Sequence, residues 1–378
     1  MNKKKFRFGY VPQLDGMRGI AVLAVIAFHA GISFIPGGFI GVDIFFVLSG
    51  FLITSLLIRE YDKYQNVNFK NFYIRRALRL LPALILLLIL FSALSIFFLQ
   101  WTQAKSNLED ALIVLFYVAN WARAFHFHGA GWLGHAWSLS IEEQFYILWP
   151  IALIFLLKRI RSRRNIFYMV LIFAGLSWLL RLILSFYGFS IARLYNGLDT
   201  RADSLLLGCA LGIFLASDLI NSKLENSLRK IMKFLSPISI LILTVIVITA
   251  DVDGLYVYNW LLVVIELSVG MLILDVFISK NSFYNKVFSN KALVWTGSIS
   301  YGLYLWHYPL FMLMYDLNLD NLIIPLGIPL TFIIASCSYY FYERHFLKLK
   351  KRLSSVVSSN DQTDKLKTSL TYNTTKAE

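Results

Sequence analysis

The chain has 378 residues, of which 58% are apolar and only 15% charged, and its mean hydropathy is +0.63. A soluble domain of this size does not carry so little charge, so the composition is that of a polytopic membrane protein. The net charge of +14 would suit nucleic acid, but the basic residues fall between apolar stretches and no basic block is interleaved with stacking aromatics, so they read as orientation signals and nucleic-acid binding is set aside. Cys209 and Cys337 each sit inside an apolar segment, which supports neither a disulfide framework nor a zinc site. Lys3, Lys4, Lys5 and Arg7 resemble the start of a signal peptide, yet the apolar stretch behind them is interrupted by charge and has no clear cleavage site, so no cleaved signal is expected.

Apolar windows of about 20 residues, the length that spans a bilayer, fall near 17–35, 40–58, 78–100, 137–157, 166–186, 202–219, 234–250, 256–278, 295–316 and 321–343. They predict an all-α polytopic membrane bundle of about ten transmembrane helices. The connections at 59–77, 158–165, 220–233 and 279–294 are rich in lysine and arginine, and the turns at Asp251–Asp253 and Asp316–Asp320 lack both, which predicts that both termini are cytoplasmic. The shorter apolar segment near 107–121 reads as a re-entrant or interfacial helix on the outer side. Residues 1–346 are expected to form one transmembrane domain, and the polar, basic residues 347–378 a disordered cytoplasmic tail. No internal repeat is evident.

The first span carries Arg18 near one end and His29 well inside, separated on a helix by roughly 16 Å, about half a bilayer. Ionisable groups in hydrocarbon are functional candidates by default. His29 is either a base held neutral by burial or a histidine bonded to a neighbouring helix, and Arg18 is either a functional cation or a snorkelling anchor. In the second span the glycines suit close helix packing, and Asp43 either lines an outer cavity or pairs with an arginine. Arg75, Arg76 and Arg79 precede the third span, and helical spacing puts at least two guanidinium groups on one face. They suit the phosphates of a cytoplasmic donor, with orientation and anionic-lipid contact as the competing account. The fourth span opens with Glu142 and Glu143. Glu142 shares a polar and aromatic face with Ser138, Tyr146 and Trp149, whereas Glu143 shares one with Leu139 and Ile147, so Glu142 is expected to face inward and to orient or charge-stabilise a histidine.

His126, His128 and His135 in the preceding loop match no closed ligand spacing, and no metal site is expected. Asp199, Arg201 and Asp203 either bind a polar acceptor at the outer mouth or form an ion-pair knot. Span nine adds Tyr301, Tyr304, His307 and Tyr308, aromatics at a depth typical of interface belts, and His307 is kept as a candidate contact to the acceptor or to the structure. Glu343 is expected to pair with Arg344 or with an arginine of the inner cluster. These charged groups would also suit the polar pathway of a transporter or flippase for lipid-linked sugars.

Taken in order, Leu14 to Ala21 with His29, Gly38 to Phe51, Arg75 to Pro82, Trp137 to Tyr146 and Ser300 to Pro309 make the chain resemble the acyltransferase type 3 family of integral membrane O-acyltransferases over roughly residues 10–345. The resemblance implies transfer of an acyl group, commonly acetyl, from acetyl-CoA as co-substrate to a hydroxyl of a surface or secreted carbohydrate or glycolipid, without a bound cofactor. It implies His29 as the essential histidine, Glu142 as its acidic partner, and Arg18, Arg76 and Arg79 as donor-handling arginines. The expected location is the cell membrane of a prokaryote, with lipid as a partner. The sequence is read as lacking the extracytoplasmic hydrolase-like domain that some relatives add.

Overall fold

A computed structural model describes residues 10–98, 100–129, 131–217, 220–279 and 282–349; most of the expected tail over 347–378 and the lysines at positions 3–5 lie outside the described residues. The described residues form helices and no strands. The first half of the series is α1 Pro12–His29, α2 Gly41–Tyr64, α3 Phe69–Phe98, α4 Trp101–Leu115, α5 Ala119–Ala124, α6 Trp137–Arg159 and α7 Arg163–Phe186. The second is α8 Ile191–Asn196, α9 Leu198–Ala216, α10 Ser222–Thr249, α11 Leu262–Ile278, α12 Phe283–Phe288, α13 Lys291–Ser298, α14 Ser300–Asp316 and α15 Ile328–Cys337.

Each of the ten expected windows falls on a helix of this series, but among the described residues seven helices are long and apolar enough to cross a membrane by length and composition. These contain α2, α3, α6, α7, α10, α11 and α15. The other three windows fall on α1, α9 and α14. The first carries Asp15 and Arg18, the second Asp199, Arg201 and Asp203, and the third is only 17 residues long. The physical reason is position, because α1 and α9 lie inside the bundle and can hold polar groups that a lipid-facing helix cannot.

The outer helices show the opposite character. Ile89, Leu94 and Phe97 of α3, Ile172, Phe173 and Leu176 of α7, and Phe234 and Leu241 of α10 are exposed large apolar side chains. Faces of that kind are stable against hydrocarbon, where every backbone polar group is already satisfied within the helix. The segment expected to be re-entrant is two helices, α4 and α5, broken where Tyr117 takes a positive φ of 54°. Gln144 of α6 donates to the Tyr117 carbonyl at 2.7 Å and so satisfies the backbone that the break exposes.

α1 is the inner post. Ala21, Val22 and Val25 are fully buried, and α1 packs on α2, α13 and α14. α2 packs along α9 over an extensive face, and the contact depends on two facing glycines. A Cβ on Gly50 would come within 1.9 Å of the Leu205 carbonyl oxygen, and one on Gly208 within 2.1 Å of the Val47 carbonyl oxygen. Small residues allow backbones to approach in a bilayer, where packing replaces the hydrophobic effect as the force between helices.

The same pair carries buried charge. Asp43 of α2 is ion-paired with Arg201 of α9, and Arg181 of α7 lies 2.6 Å from Asp203 of α9, with every one of these side chains at most 3% exposed. Ser204 donates to Glu266 of α11 at 2.5 Å, which ties a fourth helix to the cluster.

The packing generates a direct prediction. Gly50→Val meets backbone that cannot give way and should cost about 2–3 kcal/mol, whereas Gly175→Ala on α7, where an added Cβ meets nothing within 4 Å, should be neutral or slightly stabilising. Melting of the purified protein in detergent reads both, and equal melting temperatures for the two variants would contradict the account.

Candidate active site

α1 ends at His29, and α14 brings His307 against it from the other side of the bundle interior. His29 Nδ1 lies 3.0 Å from His307 Nε2. The other nitrogen of His307, Nδ1, faces two carbonyl oxygens, those of Tyr304 at 2.7 Å and Leu303 at 3.1 Å. A carbonyl can only accept, so His307 Nδ1 carries the proton and Nε2 is left as an acceptor. His29 Nδ1 must then be the donor to His307, which leaves the lone pair of a neutral His29 on Nε2. Histidine tautomer is thus fixed by a backbone carbonyl two bonds away in the network. His307 is fully buried, while His29 is half-buried.

This assigns His29 a different partner from the one expected. Glu142 does not touch the imidazole; it accepts from Ser49 Oγ at 2.8 Å, and its charged neighbours include Arg76 and Arg18. The reason is axial distance. His135 stands at the histidine end just before α6, and Glu142 is seven residues further on, about 10 Å along the helix.

Arg18, Arg76, Arg79, Glu142 and Glu143 gather at the other end. Arg76 Nε donates to both oxygens of Glu143 at 3.0 Å, and its guanidinium carbon lies 3.1 Å from the centre of the Tyr146 ring. Glu143 is thus held in an ion pair by Arg76, while Glu142, the carboxylate expected to face inward, lines the cavity described below. Arg75, the third arginine of the motif, pairs with Glu60 at 3.2 Å. Arg18 and Arg79 have no carboxylate within 4 Å among the described residues, and Arg18 is the strongest charged neighbour of Arg79.

Between the two ends lies a narrow cavity of about 60 Å³ whose lining includes Arg18, Phe45, Ser49, Ser138, Glu142 and Tyr304. Tyr304 closes its histidine end: the hydroxyl is 2.6 Å from Ser138 Oγ and donates to the His135 carbonyl at 2.8 Å, and the ring lies 5.5 Å from that of His307. The chain therefore has a charged mouth, a constricted neck that mixes polar and apolar side chains, and an imidazole beyond it.

The sequence matches the family described as acyltransferase domain over residues 11–342. The chain belongs to this acyltransferase family. Three relatives in it are the peptidoglycan O-acetyltransferase OatA of Listeria monocytogenes, the putative peptidoglycan O-acetyltransferase YrhL of Bacillus subtilis and a putative O-acetyltransferase, SACOL0978, of Staphylococcus aureus. The chain is 38% identical to the first over 348 residues, covering 88% of this chain and 55% of the relative. It is 37% identical to the second over 352 residues (89% and 54%) and 37% to the third over 363 residues (91% and 58%). The chain thus spans little over half the length of these relatives. No solved structure matches it.

The remaining acyltransferase candidates lie elsewhere in the fold. Asp43, Arg201 and Asp203 belong to the buried ion-pair cluster and present no surface to an acceptor, while Asp199 pairs with Arg193. Glu343 accepts from Ser338 at 2.9 Å, where an arginine was expected. The three loop histidines separate completely: His126 contacts Ser190, His128 pairs with Asp110 at 2.8 Å, and His135 lies buried beside His307 and Tyr308, its ring centre 5.5 and 5.1 Å from theirs. No set of three ligands for a metal occurs among the described residues. Sequence reasoning missed the roles of His307 and His135 in one cluster, because residues 29, 135 and 307 share no helix and no spacing rule joins them. It also missed Arg123 of α5, whose Nη1 donates to the Gly134 carbonyl.

Two predictions follow from these contacts. His307→Ala removes the acceptor that holds His29 Nδ1–H and should let His29 take either tautomer, with His307→Gln, which can still accept, keeping more of the Nδ1–H form; histidine nitrogen spectra that show His29 unchanged in His307→Ala would disprove the pairing. On α4, burial pushes the Asp110 carboxyl up to about 6, against the opposing charge of His128. A carboxyl with a raised folded pKa stabilises the fold at low pH, and that contribution is lost as pH climbs from 3.8 through about 6. Asp110→Asn should therefore flatten the fall in melting temperature over that window.

Proposed function

We propose that the chain is an O-acetyltransferase that moves an acetyl group from acetyl-CoA on the cytoplasmic side to a hydroxyl of a cell-envelope carbohydrate, in the manner its relatives' names describe for peptidoglycan. One observation carries the reading: an imidazole whose tautomer leaves Nε2 bare stands at the far end of a narrow neck from Arg18 and Arg79, which have no acidic partner among the described residues. Family membership and the names of the relatives support the same reaction class. The lysine- and arginine-rich connections support a cytoplasmic position for the arginine end.

Guanidinium groups suit the phosphates of the nucleotide part of CoA, and at this end of the bundle Arg18 and Arg79 have no carboxylate partner among the described residues. Arg76, locked to Glu143, shapes the mouth and adds field rather than a free fork. Glu142 acts here on the guanidinium cluster, and the imidazolium that forms on His29 is stabilised through Nδ1–H by His307. The neck holds a few waters at most and Tyr304 closes its far end, so the side chains of Phe45, Leu139, Tyr301 and Tyr304 must shift to admit the pantetheine arm. A thioester is already activated, and the step left to the protein is deprotonation of the attacking alcohol, which a neutral imidazole performs near pH 7. The sugar-carrier reading needs a pathway but makes no use of a base fixed by tautomer.

The test uses the purified full chain in detergent with radiolabelled acetyl-CoA and a soluble muropeptide. The wild type should transfer label to the glycan, and His29→Ala, expressed and inserted at wild-type level, should transfer none. Wild-type activity in that variant would refute the base, and an inactive wild type with bound acetyl-CoA and muropeptide would refute the reaction.

A further inference from the structure

Five hydroxyls line the narrow cavity between the arginine end and the histidines, and four of them are already paired. Ser49 donates to Glu142, the Ser138 and Tyr304 oxygens meet at 2.6 Å, Tyr304 donates onward to the His135 carbonyl, and Tyr301 donates to the Leu80 carbonyl at 3.0 Å. Ser300 is the fifth. It is 1% exposed, and its Oγ has no hydrogen-bond partner among the described residues.

This isolation has a local cause. A serine or threonine inside a helix can bond back to the carbonyl one turn earlier, as Ser140, Ser268, Thr296 and Thr331 do here. Ser300 is the first residue of α14, directly after the break at Ile299 that ends α13, and its hydroxyl makes no such bond. An unpaired buried hydroxyl costs on the order of 1–3 kcal/mol, and such a group in a native fold calls for a reason. Ser55 and Ser236 are also buried without a partner, but neither lines this cavity.

Position along the bundle indicates what would pair with it. Ser300, Tyr304 and His307 share one face of α14 by helical period, and Ser300 stands about 10 Å before His307 along the axis. On α1, Arg18 stands about 16 Å before His29. The two histidines meet, and Arg18 and Ser300 border the same cavity, so both helices run from the arginine end toward the imidazoles. The free hydroxyl therefore falls between guanidinium and imidazole. Glu142 of α6 borders the cavity as well; its Oε1 accepts from Ser49, and its Oε2 accepts no hydrogen bond among the described residues.

An extended pantetheine arm has matching landmarks. At about 1.25 Å per bond, its amide nearer the nucleotide lies about 10 Å from the sulfur, and its first phosphorus about 16 Å. We propose that Ser300 Oγ donates to the carbonyl of that amide and that Glu142 Oε2 accepts its N–H. A trans amide presents these two groups on opposite sides, which suits one partner on α14 and the other on α6. The inference rests on the acetyl-CoA reading above and deepens it, because the cavity then recognises the amide-bearing arm and not the thioester alone. A donor without the amide leaves both partners unpaired, and that penalty is the source of selectivity.

Isothermal titration of the purified full chain in detergent tests the contact with two probes, acetyl-CoA and ADP carrying a 3′-phosphate, which is the nucleotide half of CoA without the arm. Ser300→Ala should weaken acetyl-CoA binding about tenfold and leave the nucleotide half at wild-type affinity. Because the hydroxyl it removes is unpaired, the melting temperature of the ligand-free protein should stay the same or rise slightly. Unchanged acetyl-CoA affinity in Ser300→Ala would mean that the hydroxyl serves only a trapped water, and would overturn the inference. Equal weakening of both probes, or a lowered melting temperature, would make Ser300 a structural part of the mouth and overturn it too. In each of these outcomes the wild type still binds acetyl-CoA, so the acetyl-transfer reading stands. A wild type that binds neither probe would remove that reading and this inference together.

Discussion

The hydrogen bond from His29 to His307 is the interaction on which the candidate chemistry depends. It joins the last residue of α1 to the middle of α14, and its direction is dictated by the carbonyls of Tyr304 and Leu303. In water either tautomer of either ring would be available. Within the bundle, a carbonyl that can only accept selects one tautomer for the first imidazole, and that choice passes to the second. The consequence is a half-buried nitrogen with a free lone pair, obtained without placing a carboxylate beside it.

Avoiding a carboxylate there has a physical rationale. A carboxylate buried beside His29 would need its own partner and would place a further charge inside the bundle. Among the described residues the most deeply buried ion pairs are those of the cluster in which Asp43–Arg201 and Arg181–Asp203 tie α2, α7 and α9 together. Breaking such a pair by removing one partner typically costs 3–5 kcal/mol, so the cluster acts as a rigid anchor. α2 links it to the site, since Asp43 belongs to the anchor, Phe45 lies against Arg18 and Tyr304, and Ser49 holds Glu142.

The arrangement along the bundle axis is therefore graded, from guanidinium groups at one end, through a neck lined by Ser49, Ser138 and Tyr304, to neutral imidazoles at the other. A donor with a polyanionic head and an uncharged reactive end has that same polarity. Arg123 is the exception, a cation on the histidine side, and it stands next to the turn whose imidazole is unpaired.

The amino-acid sequence alone determined the helical membrane architecture, the positions of the ten apolar windows, the family resemblance and the candidacy of Arg18, His29, Arg76 and Arg79. Those follow from runs of apolar residues and from ionisable side chains inside them, which are local properties of the chain. The helical period put Glu142 on the inward side, where it lines the cavity, but gave no sign that Arg76 pairs with Glu143. Only the tertiary structure decided that Glu142 serves Ser49 and the arginines, that Asp43 and Arg201 are anchors, and that His29, His135 and His307 meet. Contacts between residues more than a hundred positions apart are set by how helices pack and which backbone carbonyls they expose, and neither quantity has a period that can be read along one strand of text.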